Sequence, residues 1–199
     1  MGVMLRRTRL CASLVALFAT PLLATACSGT NAVTQTVSGS LGYGEGDQAT
    51  TWVAAGHRAA VTGVTGTLLD GSSFDLAQWR GHVVVVNFWG SWCGPCTREA
   101  SYLEYAYRAY KQKGVEFLGV DVRDDRARAA SFCRAHHITY PSLFDESNLT
   151  ALRFQGLPPN ATPTTVVLDR DGRIAARHSG AILYTELRDL VARAVAEPV

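Results

Sequence analysis

Two cysteines separated by two residues follow closely on a continuous apolar run. Residues 82–89 read HVVVVNFW and residues 92–96 read WCGPC. A continuous apolar run of this length, preceded by Gly81, is typical of a strand buried on both faces of a sheet. The helical spacing of apolar residues after the pair predicts a helix over 97–113 that ends at Gly114. The cysteine pair is therefore expected between a buried strand and the start of a helix.

The start of a helix favours a thiolate at the first cysteine. Unpaired N–H groups and the positive end of the helix dipole point at Cys93, which lowers the pKa of its thiol and makes it the attacking nucleophile. Cys96, one turn further along, is placed to resolve the mixed disulfide. A structural zinc site would need a second ligand pair, and a disulfide across so small a loop would add little stability. The pattern predicts redox exchange and no bound metal.

The remaining patterns predict an α/β domain. A β-hairpin over 61–76 turns at Asp70-Gly71, and residues 115–122 form a second buried strand. The further predicted elements are a helix that starts at Asp124-Asp125, a short strand at 142–144, a short helix at 147–154 and a strand-turn-strand unit at 162–178. A terminal helix is predicted to pack through a stripe made of Leu183, Leu187, Leu190, Val191 and Ala194.

The first residues have the features of an export signal. Three arginines, at positions 6, 7 and 9, precede an apolar stretch over 10–23 that is short for a membrane span. The stretch ends in LLATAC, which resembles a lipoprotein signal, so residues 1–26 are predicted to be removed and Cys27 to carry a lipid. Ordinary cleavage, with Cys27 as a bystander, is the alternative. Both interpretations place the domain outside the cytoplasm, where disulfides persist.

Between the signal and the domain the composition changes. Residues 28–46 are rich in glycine, serine, threonine and glutamine, and they cannot bury enough apolar surface to fold alone. We predict a flexible tether over 27–60 and a domain over 61–199. Trp52 and Val53 leave a second interpretation open, in which they add an edge strand to the domain.

The cysteine motif and a later Thr162-Pro163 resemble the thioredoxin family over roughly residues 61–196. The resemblance implies a thioredoxin-like α/β fold: a central mixed β-sheet flanked by helices, with the N-terminal β-hairpin and a small central insertion as additions. It also implies that Pro163 is in the cis form and lies beside the cysteines. The residues expected to shape the site and contact the substrate are Trp92, Gly94, Pro95, Thr162 and Pro163.

More narrowly, three features resemble the exported, membrane-anchored ResA/CcsX/TlpA-like group. They are the lipoprotein-like signal, the stretch DGSSFDLAQWRGHVVVVNFWGSWCGPC and the insertion over 138–160. This resemblance implies a reductase of protein cysteine pairs, apocytochrome c among them, in cytochrome c maturation. A membrane thiol-disulfide protein would supply the electrons, because the sequence has no nucleotide or flavin motif and predicts no cofactor. Two alternatives stay open: a disulfide-forming oxidase, and a non-catalytic lipoprotein that binds copper or haem.

Glu99 is the candidate for exchanging a proton with the resolving thiol of Cys96. It lies three residues after Cys96, on the same side of the predicted helix, and the ResA-like group also has an active glutamate there. Burial would raise the pKa of its carboxyl and fit it for proton exchange with the resolving thiol. The alternative is a solvated glutamate favoured by the helix dipole. Cytoplasmic thioredoxins usually carry an aspartate where this chain has Asn87.

Two further expectations concern the rest of the chain. Cys133 is expected to be a small buried side chain on the second helix. A formal net charge of +2 and a pI near 8.3 provide no large basic field, so no nucleic-acid partner is predicted. Separately, a monomer is expected.

Overall fold

The computed structural model describes residues 49–157 and 162–198. The predicted signal over 1–26, the predicted lipid site at Cys27 and the tether up to residue 48 lie outside the described residues and stay predictions. None of the helices among the described residues is long and apolar enough to cross a membrane.

Six strands form a mixed central sheet. They are β1 (Ala49–Trp52), β4 (Val83–Trp89), β5 (Val115–Val122), β6 (Ser142–Asp145), β7 (Thr164–Leu168) and β8 (Ile174–Ser179). Their order across the sheet is β1-β8-β7-β4-β5-β6. β4, β5 and β6 are parallel, whereas β7 and β8 form an antiparallel pair joined to β4 through β7. The predicted mixed sheet is confirmed.

The N-terminal hairpin and three helices complete the domain. β2 (Thr65–Thr67) and β3 (Ser73–Asp75) pair antiparallel around the predicted turn. The helices are α1 (Gly94–Tyr110), α2 (Arg126–Ala135) and α3 (Tyr184–Ala196). Short 3-10 helices cover Ala55–His57, Leu76–Trp79, Lys111–Lys113 and Thr150–Arg153.

Two helix predictions need correction. The element predicted over 147–154 is only one 3-10 turn, because the Asp145 side chain accepts hydrogen bonds from the N–H groups of Leu149 and Thr150 and fixes a turn there. Leu183 does not belong to the inward stripe of α3. It caps the helix in an extended conformation, and its side chain is exposed.

Alternation along β4 divides the core into two faces. Val84, Val86 and Phe88 pack with the hairpin and with Phe154. Val83 and Val85 pack instead against α1 and α3, and Trp89 packs at the same face against residues of α1 and α2. A strand covered on both sides explains the continuous apolar run in the sequence.

The domain begins earlier than predicted. β1 pairs antiparallel with β8, with Thr50 opposite His178, so residues from Ala49 onwards belong to the sheet and not to a tether. Trp52 packs against the helical side of the core, with the guanidinium of Arg193 4.0 Å from the centre of its ring. The boundary at residue 61 was therefore placed too late, and the alternative of an edge strand at Trp52 is confirmed.

Candidate active site

The cysteine pair lies where β4 ends and α1 begins. Cys93 and Cys96 are joined by a disulfide, with sulfurs 2.03 Å apart and Cα atoms 5.3 Å apart. Both residues are buried, at 3% and 2% exposure, and they pack in one cluster with Trp89 and Phe132. Only a small part of the disulfide can meet solvent, so a partner must approach it closely.

Cys93 is the capping residue of α1. Its sulfur accepts a hydrogen bond from the backbone N–H of Cys96 at 3.2 Å, and Pro95 lies in the first turn, where the missing N–H costs nothing. Gly94 is exposed beside it. The first sulfur therefore lies at the positive end of a helix of 17 residues, the position that stabilises a thiolate.

Glu99 is completely buried, with 1% exposure. One carboxylate oxygen, Oε1, accepts a hydrogen bond from Asn87 Nδ2 at 2.8 Å, and the other, Oε2, accepts one from the backbone N–H of Ile182 at 2.9 Å. Burial raises the pKa of Glu99 to about 7, although the bonds from Ile182 and Asn87 act in the opposite direction. The predicted burial of Glu99 is confirmed, and the alternative of a solvated glutamate is wrong.

Asn87 connects Glu99 to the next strand. Its Nδ2 also lies 3.2 Å from Thr165 Oγ1, and both residues are buried on neighbouring strands, opposite each other in the β4–β7 register. An amide donates hydrogen bonds and does not ionise in the physiological range. Glu99 is therefore the ionisable group beside Asn87 and Thr165, and its pKa of about 7 lets it gain or lose a proton near neutral pH.

The segment before Cys93 is fixed by the end of β5. Asp124 accepts hydrogen bonds from the backbone N–H of Ser91 at 2.5 Å and from its hydroxyl at 2.9 Å. Trp92 Nε1 donates to the carbonyl of Val122 at 3.1 Å, while the indole stays 49% exposed. Gly90 makes this possible, because a Cβ there would lie 2.5 Å from Trp92 Nε1.

The Thr162-Pro163 peptide bond is cis, as the resemblance implied. Thr164 lies opposite Phe88 in the β4–β7 register. Pro163 is therefore at the same end of the sheet as the last residues of β4, where the chain continues to the cysteines. Pro163 is buried and Thr162 is partly exposed. The structure thus brings all the predicted site residues except Cys27 to one end of the sheet; Cys27 lies outside the described residues.

Sequence reasoning missed two acidic residues behind the motif. Asp121 is 0% exposed on β5, and Asp124 is buried at the start of the segment that leads into α2. The sequence does indicate Asp121, because an acidic residue inside an otherwise apolar buried strand is unusual. The role of Asp124 as an acceptor for Ser91 depends on a contact across 33 residues and has no local pattern.

Cys133 is a free thiol on α2. It is partly buried and packs against the cluster that contains the redox pair, which is less burial than predicted. Burial raises the pKa of its thiol to about 11, so at neutral pH it is protonated and a poor nucleophile.

The Redoxin family model matches residues 46–192. Among curated proteins, the thiol-disulfide oxidoreductase ResA of Geobacillus thermodenitrificans is 32% identical over 120 residues, which cover 60% of this chain and 67% of that protein. The ResA of Bacillus anthracis is 31% identical over 114 residues. The match spans about two thirds of the length of such relatives.

Solved structures agree with the fold. A DsbF homologue from Corynebacterium diphtheriae superposes with a TM-score of 0.70 at 30% identity, covering 78% of this chain and 99% of that one. A secreted thiol-disulfide isomerase from Corynebacterium glutamicum gives a TM-score of 0.72 at 28% identity, covering 80% and 100%. The similarity therefore extends over nearly the whole of both neighbours.

Proposed function

The chain belongs to the Redoxin family and is a thiol-disulfide oxidoreductase, and from this premise we propose that it is an exported, lipid-anchored reductase of disulfides in envelope proteins. The observation that carries the proposal is a buried carboxyl group, Glu99, one helical turn after the resolving cysteine, with a pKa of about 7. The predicted export signal and the similarity to a secreted thiol-disulfide isomerase support the location. Apocytochrome c, with its cysteine pair, is the proposed substrate class.

The reaction begins with the reduced pair. The Cys93 thiolate attacks one sulfur of the substrate disulfide, a mixed disulfide forms, and the other substrate sulfur leaves as a thiolate. The thiol of Cys96 then loses its proton and attacks the Cys93 sulfur, which frees the second substrate sulfur and closes the Cys93–Cys96 disulfide. Two electrons have moved to the substrate, and a membrane thiol-disulfide donor returns the enzyme to its reduced form.

Glu99 receives the proton of Cys96 in this scheme. A base with a pKa near the working pH is partly ionised, so it accepts the proton readily and passes it on afterwards. Its two hydrogen-bond donors, Asn87 and the Ile182 amide, are both neutral. Trp92, Gly94, Pro95, Thr162 and Pro163 shape the surface that the substrate approaches.

Trapping tests the direction and the substrate. In cells that carry Cys96→Ala, a substrate stays bound to Cys93 as a mixed disulfide, and the matched Cys93→Ala/Cys96→Ala variant gives the background. Alkylation of the wild type reports its resting redox state. We expect apocytochromes on an enzyme that rests mostly reduced. Diverse exported proteins on a mostly oxidised enzyme would overturn the proposal in favour of an oxidase.

Anchoring is tested separately. Cys27→Ser removes the thioether that would hold the lipid, so the protein should move from the membrane fraction to the soluble envelope fraction with its reductase activity in solution unchanged. Full retention in the membrane fraction would contradict lipid attachment at Cys27.

A further inference from the structure

One carboxylate, that of Asp124, holds Ser91 in the segment that leads into Cys93. Asp124 accepts three hydrogen bonds, two from Ser91 and one from the backbone N–H of Asp125 at 2.7 Å. Although burial opposes it, these bonds lower the pKa of Asp124, so the group is ionised at neutral pH. Loss of this acceptor would release Ser91, two residues before the attacking sulfur.

Asp121 lies three residues before this carboxylate, at the end of β5, and is opposite Trp89 in the β4–β5 register. Its side chain is completely buried, and neither of its oxygens accepts a hydrogen bond from the residues that the structure describes. The charge of Asp124 acts on its carboxyl group. A buried carboxylate without donors, next to a second carboxylate, is strongly unfavourable, whereas a neutral acid has a proton to donate to its neighbour.

We propose that Asp121 is a positioning residue for thiol-disulfide exchange: as a neutral acid it donates a hydrogen bond to Asp124 and so keeps that carboxylate against Ser91. In this arrangement the Asp121 O–H donates to Asp124, and Asp124 in turn accepts hydrogen bonds from Ser91. Ser91 belongs to the segment that carries Cys93. The role concerns the exchange reaction itself and does not depend on the physiological substrate or direction.

The hydrogen bond is lost when Asp121 ionises. Burial, followed by the charge of Asp124, raises the pKa of Asp121 to about 8. The other ionisable groups that act on or respond to Asp121 are Arg126 and Cys133 of α2 and Asp145 of β6. Arg126 favours the ionised form, Asp145 opposes it, and Cys133 has a pKa of about 11, above the range that matters here. Above pH 8 two adjacent carboxylates repel each other, and the hold on Ser91 weakens.

The test is the rate at which the reduced, full-length protein reduces 5,5′-dithiobis(2-nitrobenzoate) in a single turnover. The rate is divided by the amount of thiolate, read from absorbance at 240 nm, so that ionisation of Cys93 itself is removed. In the wild type only about a tenth of Asp121 keeps its proton one unit above its pKa, and the ionised form both lacks the donor and repels Asp124, so we expect a roughly three- to tenfold fall from pH 7 to pH 9. Asp121→Asn keeps a donor that cannot ionise, and its normalised rate should stay level.

Two further variants separate positioning from simple packing. Asp121→Ala lacks the donor and should be roughly fivefold slower at pH 7, the equivalent of one ordinary hydrogen bond, while Asp121→Asn restores the rate. Glu116→Gln, the same chemical change on the same strand but far from the motif, should follow the wild type at every pH. Circular dichroism and urea midpoints report folding, and if Asp121→Ala does not fold, the profile of Asp121→Asn decides. An equal decline in wild type and Asp121→Asn would overturn the proposal, as would an Asp121→Asn variant as slow at pH 7 as Asp121→Ala.

Discussion

Glu99 and Asp121 are two buried carboxyl groups beneath one cysteine motif, and they hold protons near neutrality in different surroundings. Glu99 accepts two hydrogen bonds from neutral donors, which partly offset the effect of burial on its pKa. Asp121 accepts none from the described residues and lies beside the ionised Asp124. Burial alone therefore does not define a role. Glu99 has two neutral donors that favour its ionised form, which suits a proton carrier, whereas Asp121 has no such donor and keeps its proton beside an ionised carboxylate.

Both carboxyl groups make the stability of the fold depend on pH. Both pKa values are higher in the folded protein than in the unfolded chain, so the folded form binds more protons and stability falls as pH rises. For Glu99 the loss begins near pH 4.5 and is complete near pH 7, whereas for Asp121 it begins near pH 3.8 and continues to about pH 8. The two losses overlap below pH 7, and only that of Asp121 continues above it.

The largest expected effect is on Glu99→Gln. A pKa raised from 4.5 to about 7 corresponds to about 3 kcal/mol of stability lost by the wild type. The glutamine cannot ionise, so its free energy of unfolding, relative to the wild type, should rise by about 3 kcal/mol from pH 4.5 to pH 8. Urea denaturation across pH measures this difference. Glu116→Gln is the control, and a difference that does not change with pH would show that Glu99 is not held protonated.

An intermediate effect is expected from Asn87→Ala. Removing the Nδ2 donor takes away a hydrogen bond that favours the ionised carboxylate, so the pKa of Glu99 should rise by about one pH unit. Titration of ¹³C-labelled glutamate carboxyls by NMR measures it. An unchanged Glu99 titration in a folded variant would mean that Asn87 does not set the charge state of its neighbour.

The smallest of the three effects is expected from Asp121→Asn in the narrow window from pH 7 to pH 8. There Glu99 has largely completed its change, and ionisation of Asp121 should cost the wild type about 1 kcal/mol of stability. The asparagine variant should lack this part of the decline, together with the contribution of Asp121 at lower pH, and should keep below pH 7 only the decline that Glu99 causes. If both declines persist in the variant, a different group titrates above pH 7.

The sequence predicts the parts of the fold that depend on local periodicity. β4, β5 and α1 are found where the apolar patterns place them, and α1 begins earlier only because Cys93 itself caps the helix. The sequence predicts a tether at β1 because its residues, Ala49–Trp52, are mostly exposed and gain their structure from pairing with β8, far along the chain. The local signal of this edge strand is limited to Trp52 and Val53.

The site divides in the same way. The two cysteines and Pro163 are recognisable from sequence, as is Glu99 from its spacing along the helix. The donor that the Ile182 backbone supplies to Glu99 comes from 83 residues away and is independent of side-chain identity. Such a contact can only be read from the folded chain.

The central claim is that Glu99 takes the proton released when Cys96 resolves the mixed disulfide. The direct measurement is the rate of that step against pH, followed by stopped flow on a preformed mixed disulfide between Cys93 and a chromophoric thiol. The wild type should show an inflection near pH 7, matching the pKa of Glu99, and Glu99→Gln should be slower and lack it. The same inflection in both proteins would contradict the claim.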